Sequence, residues 1–283
     1  MPEGPEVRRE ADRIAGALVD KNIERIEFGI SRLKRFTRTL ADARVVAVET
    51  RGKAMLTHFD NELTLYSHNQ LYGKWVVARR DRLPKTNRSL RVGFHTDSHS
   101  VVLYSASEVE VLERRLLDEH HFLRKLGPDV LDTSLTWRQI AERLSETTFR
   151  GRSLAALYLD QHFLAGVGNY MRSEILHEAG LHPFLRPKDL SRAERGRLAR
   201  ATLLISNRAY EGAGVTNAPG RVRTLKRLGY SRRDYRFAVF ARAGLPCYRC
   251  TEEILRVEVS ARRLYYCPGC QAEPRSAAKS RAV

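Results

Sequence analysis

Four cysteines, arranged as Cys247-Tyr-Arg-Cys250 and Cys267-Pro-Gly-Cys270 with 16 residues between the pairs, constrain this chain more tightly than any other feature. Two Cys-x-x-Cys pairs at that separation can offer four thiolates to one tetrahedral ion, so the spacing predicts a single structural Zn²⁺ held by Cys247, Cys250, Cys267 and Cys270. A pair of disulfides is the alternative, which a reducing compartment disfavours. Pro246-Cys247-x-x-Cys250 also echoes the signature of zinc nucleobase deaminases. Their catalytic site needs a His-x-Glu, and no histidine here is followed two residues later by Glu. Between the pairs, residues 254–259 and 264–266 read as hairpin strands joined at Ser260-Ala261-Arg262-Arg263. Two arginines at the tip of a metal-braced hairpin suit entry into a minor groove.

The charge balance points the same way. Lys and Arg number 50 against 33 Asp and Glu, a formal charge of +17 on 283 residues. An excess of this size favours a polyanionic partner, with nucleic acid ahead of a membrane surface. No stretch has the length and apolarity of a transmembrane helix, and the charged N-terminus lacks the apolar run of a signal peptide. The chain is therefore read as intracellular.

At the other end, the chain begins Met1-Pro2-Glu3-Gly4-Pro5-Glu6. Removal of Met1 would leave Pro2 as an N-terminal secondary amine. Such an amine attacks a sugar aldehyde carbon to give an iminium that cannot lose its charge by deprotonation, an electron sink for breaking the neighbouring bond. Glu3 would move protons. Val7, Ala11, Ile14 and Leu18 recur at helical spacing, so residues 5–19 read as an amphipathic helix led in by Pro5. The same six residues would also serve as a plain helix lead-in.

From Ile23 to about Ser105, short β-rich runs alternate with turn residues, as expected of a sandwich or barrel. Lys53, in Arg51-Gly52-Lys53, falls at a turn between two strands, where most lysines are simply solvated. His68-Asn69-Gln70-Leu71-Tyr72-Gly73 sets an amide, an aliphatic and an aromatic side chain at a strand end. Gln70, Leu71 and Tyr72 could wedge into a base stack, although core packing of Leu71 and Tyr72 is the commoner reading of that pattern.

After Ser105 the pattern turns helical, with helix-spaced apolar positions at 109–117, 137–144 and 153–159 and a break at Gly127-Pro128. In the stretch from Leu159 to Tyr170 a helix ends, two turns pass through Gly166 and Gly168, and a second helix starts with Asn169 as its expected N-cap. A helix start beside glycine turns offers backbone N–H groups to a phosphate, and a plain helical hairpin is the alternative. Residues 191–210 read as one more helix. Residues 221–236 carry seven cations against one acid, interleaved with Leu225, Leu228, Tyr230 and Tyr235, either as a solvated run or as a segment that orders on DNA. The expected organisation is 1–120, a helix plus β-sandwich; 121–236, a helical DNA-binding domain with the basic loop; 237–272, a zinc finger; and 273–283, a disordered tail.

Taken together, Met-Pro-Glu-Gly-Pro-Glu at the start, Glu49-Thr-Arg-Gly-Lys53, Leu65 to Gly73, Gly127-Pro-Asp-Val-Leu131, Gly166-Val-Gly-Asn-Tyr170 and the four-cysteine ribbon resemble the formamidopyrimidine-DNA glycosylase/endonuclease VIII family, nearest its endonuclease VIII branch. The resemblance covers all but the tail. It implies an α+β multidomain fold: an N-terminal β-sandwich headed by a helix, then a helical domain with a helix-two-turn-helix motif and a four-cysteine zinc-finger hairpin. It further implies a bifunctional DNA glycosylase/AP lyase of base-excision repair, a monomer acting on damaged double-stranded DNA in the bacterial cytoplasm at the nucleoid. Pro2 would form the Schiff base with C1′, Glu3 would transfer protons, and Lys53 would assist base loss and β-elimination. Gln70, Leu71 and Tyr72 would fill the void, Asn169 would bind phosphate, and Arg262 would serve δ-elimination, with either Arg262 or Arg263 entering the groove. Lys125 stands where the endonuclease VIII branch has a DNA-contacting arginine, which keeps charge but loses a bidentate contact. The wedge favours oxidised pyrimidines; 8-oxoguanine or formamidopyrimidine excision, and a non-catalytic zinc-ribbon DNA binder, are the alternatives.

Overall fold

The computed structural model describes residues 2–80 and 82–273; Met1 and all but the first residue of the expected tail lie outside them. The chain divides into two compact units, up to Leu126 and from Gly127 onward. The division falls at the Gly-Pro break. A Cβ on Gly127 would lie 2.3 Å from the carbonyl oxygen of His162, so only glycine lets the chain enter the second unit at this point.

The first unit opens with α1 (Gly4–Leu18), followed by β1 (Arg25–Phe28) and α2 (Thr37–Ala41). Seven further strands follow: β2 (Val45–Arg51), β3 (Ala54–Phe59), β4 (Leu63–His68), β5 (Lys74–Arg79), β6 (Leu90–His95), β7 (His99–Tyr104) and β8 (Glu108–Glu113). They form two four-stranded antiparallel sheets, ordered β1-β6-β7-β5 and β2-β3-β4-β8. Phe28, Phe94, Val101 and Leu103 from one sheet share a core with Met55, Phe59, Leu65 and Val109 from the other. The apolar stripe of α1, with Val7, Ala11, Ile14 and Leu18 all buried, closes the same core. At roughly 1.5–3 kcal/mol for each large side chain buried, this stripe supplies most of the reason the helix forms where it does.

β8 corrects one sequence expectation. Residues 109–117 are not one α-helix: Glu108–Glu113 is a strand and Arg114–Glu119 a 3₁₀ helix. Val109 and Val111 face the core in strand alternation, a period of two hidden inside a run whose leucines also fit a period near four. The 3₁₀ segments after β8 then cover the outer face of the β2-β3-β4-β8 sheet, where Leu117 and Leu123 pack on Ala54, Leu56 and Tyr66. Every residue of β3 is therefore buried.

In the second unit, α3 (Trp137–Arg143), α4 (Leu154–Leu157), α5 (Asn169–Ala179) and α6 (Arg192–Glu211) surround one core. The α4–α5 connection carries the two turns, with Gly166 at φ 95°. Residues 221–236 are not a loop. They fold as α7 (Pro219–Arg227), a turn through Gly229, and α8 (Arg232–Tyr235). The chain ends in the hairpin of β9 (Leu255–Val259) and β10 (Arg262–Tyr266), whose two-residue turn places Ser260 and Ala261 at φ 54° and 55°. Arg262 and Arg263 are thus the first, exposed residues of β10 rather than the turn itself. Among the described residues no helix is long and apolar enough to cross a membrane.

Candidate active site and nucleic-acid interface

The first turn of α1 fixes the backbone around Glu3. Glu3 is the N-cap residue in an extended conformation (φ −103°, ψ −179°), and its backbone N–H donates to Glu6 Oε2 at 3.1 Å. Gly4 and Pro5 are buried behind it. Pro2 is half-buried and Glu3 only 3 % exposed, so a carboxyl group is buried one residue after Pro2 at the positive end of the helix.

Lys53 sits with Gly52 in the two-residue β2–β3 turn, where Gly52 takes φ 63°. Unlike a solvated turn lysine, it is buried. The register pairs the next residue, Ala54, with His68, and His68 with Glu108. His68 is accordingly held below the ordinary imidazole range, first by burial and then by the Lys53 charge, with Glu108 opposing. Glu108 Oε2 accepts the Tyr66 hydroxyl at 3.2 Å, and its other oxygen accepts the Gln70 side-chain amide. Burial, then Glu108, drives the Tyr66 phenol well above its usual value and keeps it protonated.

Gln70, Leu71 and Tyr72 lie on the β4–β5 loop, and two of the three behave differently from core residues. Leu71 is 70 % and Tyr72 67 % exposed, which overturns the core-packing reading. Gln70 instead lies back on Glu108, with φ 46°. A non-glycine residue in that region persists only where its surroundings over-determine it. Here they do: Gln70 N–H donates to His68 Nδ1 at 3.2 Å, Gly73 N–H to Asn69 O at 2.7 Å, Arg88 Nη1 to Tyr72 O at 2.7 Å, and Asn69 Nδ2 to Glu10 Oε2 at 2.9 Å. Gly73 cannot be larger, since a Cβ would lie 2.5 Å from Asn69 Cα. Lys125 is exposed at the end of a 3₁₀ turn in the same unit.

In the second unit Asn169 is not the N-cap of α5. Gly168 occupies that position and Asn169 is the first helical residue. Its amide is committed sideways: Nδ2 donates to Arg263 O at 2.7 Å, and Oδ1 accepts from Arg172 Nη2 at 2.7 Å. Arg172, fully buried, also donates from Nη1 to Ala155 O. The start of α5 and the arginine-bearing edge of the β9–β10 hairpin are thereby fastened together.

The four cysteine sulfurs gather at the base of that hairpin, with Sγ–Sγ distances of 3.3 Å (Cys250–Cys267), 3.4 Å (Cys250–Cys270) and 3.8 Å (Cys247–Cys270). Those separations are far too long for disulfides, while Zn–S bonds of about 2.3 Å require tetrahedral edges of about 3.8 Å. Backbone N–H groups of Arg249 and Cys270 point at Cys247 Sγ and Cys267 Sγ, each at 3.4 Å, as suits thiolates. The cluster can hold a metal ion. Glu110, His120 and His121 also converge. There, however, His120 Nδ1 accepts the N–H groups of Phe122 and Leu123, so the proton of the neutral ring lies on Nε2 and no lone pair is left for an ion.

Glu174 is a residue the sequence does not single out. Fully buried, it accepts Ala238 N–H and the Thr216 hydroxyl on Oε2 and Val239 and Phe240 N–H on Oε1, at 2.6–2.9 Å. One carboxylate thus closes both ends of the segment carrying α7 and α8. Nothing in its local sequence marks it, because these partners lie at least 42 residues away.

Residues 1–108 match the model of the formamidopyrimidine-DNA glycosylase N-terminal domain, and residues 126–218 that of the formamidopyrimidine-DNA glycosylase H2TH domain. The chain belongs to the formamidopyrimidine-DNA glycosylase family and is a DNA glycosylase with AP-lyase activity. Its similarity runs the full length of endonuclease VIII: it is 45 % identical over 271 residues to Endonuclease 8 of Shigella sonnei and 46 % to that of Escherichia coli K12, covering 96 % of this chain and 100 % of each relative. Solved structures share the fold at lower identity. Lactococcus lactis formamidopyrimidine-DNA glycosylase bound to DNA containing an AP site superimposes with a TM-score of 0.78 at 20 % identity, covering 96 % of this chain and all of that one. MutM bound to DNA containing carbocyclic 8-oxo-G gives 0.78 at 21 %, with the same coverage.

Proposed function

We propose that this bifunctional glycosylase/AP lyase removes oxidised pyrimidines from damaged double-stranded DNA and incises the strand by β,δ-elimination, as a monomer acting on chromosomal DNA in the bacterial cytoplasm. The observation that carries the reading is Pro2-Glu3 at the head of α1, with the Glu3 carboxyl buried. With Met1 removed, the Pro2 nitrogen attacks C1′ of an extruded nucleotide and the base leaves. Glu3 protonates the sugar ring oxygen, so that the ring opens and the attached nitrogen becomes an iminium. Loss of a C2′ proton then expels the 3′ phosphate. A second elimination expels the 5′ phosphate, leaving a one-nucleotide gap. Lys53, buried near His68, serves base loss and the first elimination, and Arg262 the second.

The remaining residues hold the substrate. Leu71 and Tyr72, exposed on a loop fixed at five points, are suited to occupy the space of an everted nucleotide, with Gln70 beside them. Asn169 and Lys125 contact phosphates. One Zn²⁺ on Cys247, Cys250, Cys267 and Cys270 braces the hairpin that carries Arg262 and takes no part in the chemistry.

Borohydride reduction during incubation with a dihydrouracil or thymine-glycol duplex should yield a covalent complex joined through Pro2, identified by peptide mass spectrometry. Correctly processed protein that traps neither duplex would overturn the reading. Faster excision of 8-oxoguanine than of dihydrouracil at equal salt would move it to the purine branch.

A further inference from the structure

Glu10 lies seven residues beyond Glu3 on α1, about two turns and roughly 10 Å along the same helix. Its carboxylate leaves the helix for the β4–β5 loop. Oε2 accepts Asn69 Nδ2 at 2.9 Å, and the backbone N–H of Trp75 donates to the same carboxylate. Asn69 is the first residue of that loop and Trp75 the second beyond its end. Asn69 is itself buried, its amide oxygen has no partner, and its backbone carbonyl closes the loop through Gly73 N–H. Between those two anchor points stand Gln70, Leu71 and Tyr72.

We infer that Glu10 is a positioning residue for duplex DNA: it staples both roots of the void-filling loop to the helix that presents Pro2 and Glu3, so that loop insertion and nucleophile placement occur on one rigid body. The inference rests on the function proposed above. Its support is geometric and electrostatic. A largely buried carboxyl costs desolvation, which pushes Glu10 up to about 7 against the opposing pulls of Asn69, Arg13, the Trp75 N–H and Lys74. A structural glutamate at this position of α1 would be cheaper if it pointed into water. The Gln70–Glu108 contact ties the next residue of the loop to β8, while Glu10 holds Asn69 and Trp75 to α1.

Two substrates separate this role from general destabilisation. A single-stranded oligonucleotide with an abasic site has no stacked partner strand and no void to fill. The same damage in a duplex has both. Glu10→Ala should slow single-turnover excision from the duplex about ten-fold, the effect of one lost charged hydrogen bond, and leave strand cleavage and borohydride trapping on the single strand within about two-fold. Glu10→Gln, which keeps an acceptor and offers an N–H to the orphaned Asn69 oxygen, should restore most of the duplex rate. In a Leu71→Ala/Tyr72→Ala background, Glu10→Ala should have no further effect beyond about two-fold. Asn69→Ala removes the same bond from the loop side; it should give the same split and serves as the test if Glu10→Ala does not fold. Equal losses on both substrates, an undiminished duplex rate, or the same ten-fold loss in the Leu71/Tyr72 background would each overturn the inference. Failure of the wild-type protein to trap either substrate would instead overturn the proposed function.

Discussion

Asn169 Nδ2 lies 2.7 Å from the carbonyl oxygen of Arg263, joining the first turn of α5 to the β9–β10 hairpin across 94 residues of sequence. The same side chain gives its oxygen to the buried Arg172. It is therefore both a phosphate-binding candidate and the pin that sets where Arg262 and Arg263 stand.

Asn169→Ala should accordingly do two things at once. Leaving a buried guanidinium short of one acceptor costs about 1–3 kcal/mol, read as a lower denaturant midpoint. Affinity for a duplex carrying a non-cleavable abasic analogue should fall in addition. Asn169→Asp keeps the acceptor for Arg172 but loses the donor to Arg263, so it should fold nearly normally and still bind DNA weakly. A variant that folds and binds like the wild type would exclude the pin.

Glu10 gives stability a pH dependence of unusual sign. Its carboxyl is raised from an ordinary 4.5 to about 7 in the folded protein, so across that window the folded state holds a proton the unfolded state has lost. The favourable term is fully present below pH 4.5 and disappears as pH rises to 7, by up to about 3 kcal/mol, and is flat above. Urea denaturation of wild type and Glu10→Gln at several pH values isolates it. The difference between the two proteins should change across pH 4.5–7 and stay constant beyond.

The cysteine cluster should bind one equivalent of zinc, and Cys267→Ser should lose most of it, because three thiolates leave a tetrahedral site open to water and chelator. Metal analysis reads this directly. DNA affinity should fall with the metal content, since the hairpin carries Arg262 and Arg263. Retention of full DNA affinity by the metal-free variant would separate the hairpin from the interface.

Arg223, Arg227 and Arg233 are exposed on α7 and α8. If all three neutralise phosphates, replacing them together by alanine should reduce the slope of log K against log salt by about 2.7, uniformly across DNA sequences. An unchanged slope would mark these helices as a solvated surface.

Much of this arrangement is legible in the sequence, for physical reasons that differ by element. α1 is readable because Val7, Ala11, Ile14 and Leu18 keep the helical period and Pro5 marks its start. The cysteines are readable because ligand spacing is a local constraint. β8 is hidden, since Val109, Val111, Leu112 and Leu117 satisfy two periods and only the β4 pairing chooses between them. Asn169 stands one residue inside the cap position its sequence suggests, because a side chain that would cap its own helix is drawn to a distant carbonyl instead. The acids Glu10, Glu108 and Glu174 cannot be singled out among 33 in a chain this charged. Their partners lie 59, 38 and at least 42 residues away, and only the fold brings them together.

The Glu174 closure has an evolutionary corollary. Because a single carboxylate sutures Thr216 to residues 238–240, the stretch between behaves like a cassette whose two ends are already sealed. Phe237 keeps one end of that cassette in the helical core, but the exposed faces of α7 and α8 can be recharged without reaching the core at all.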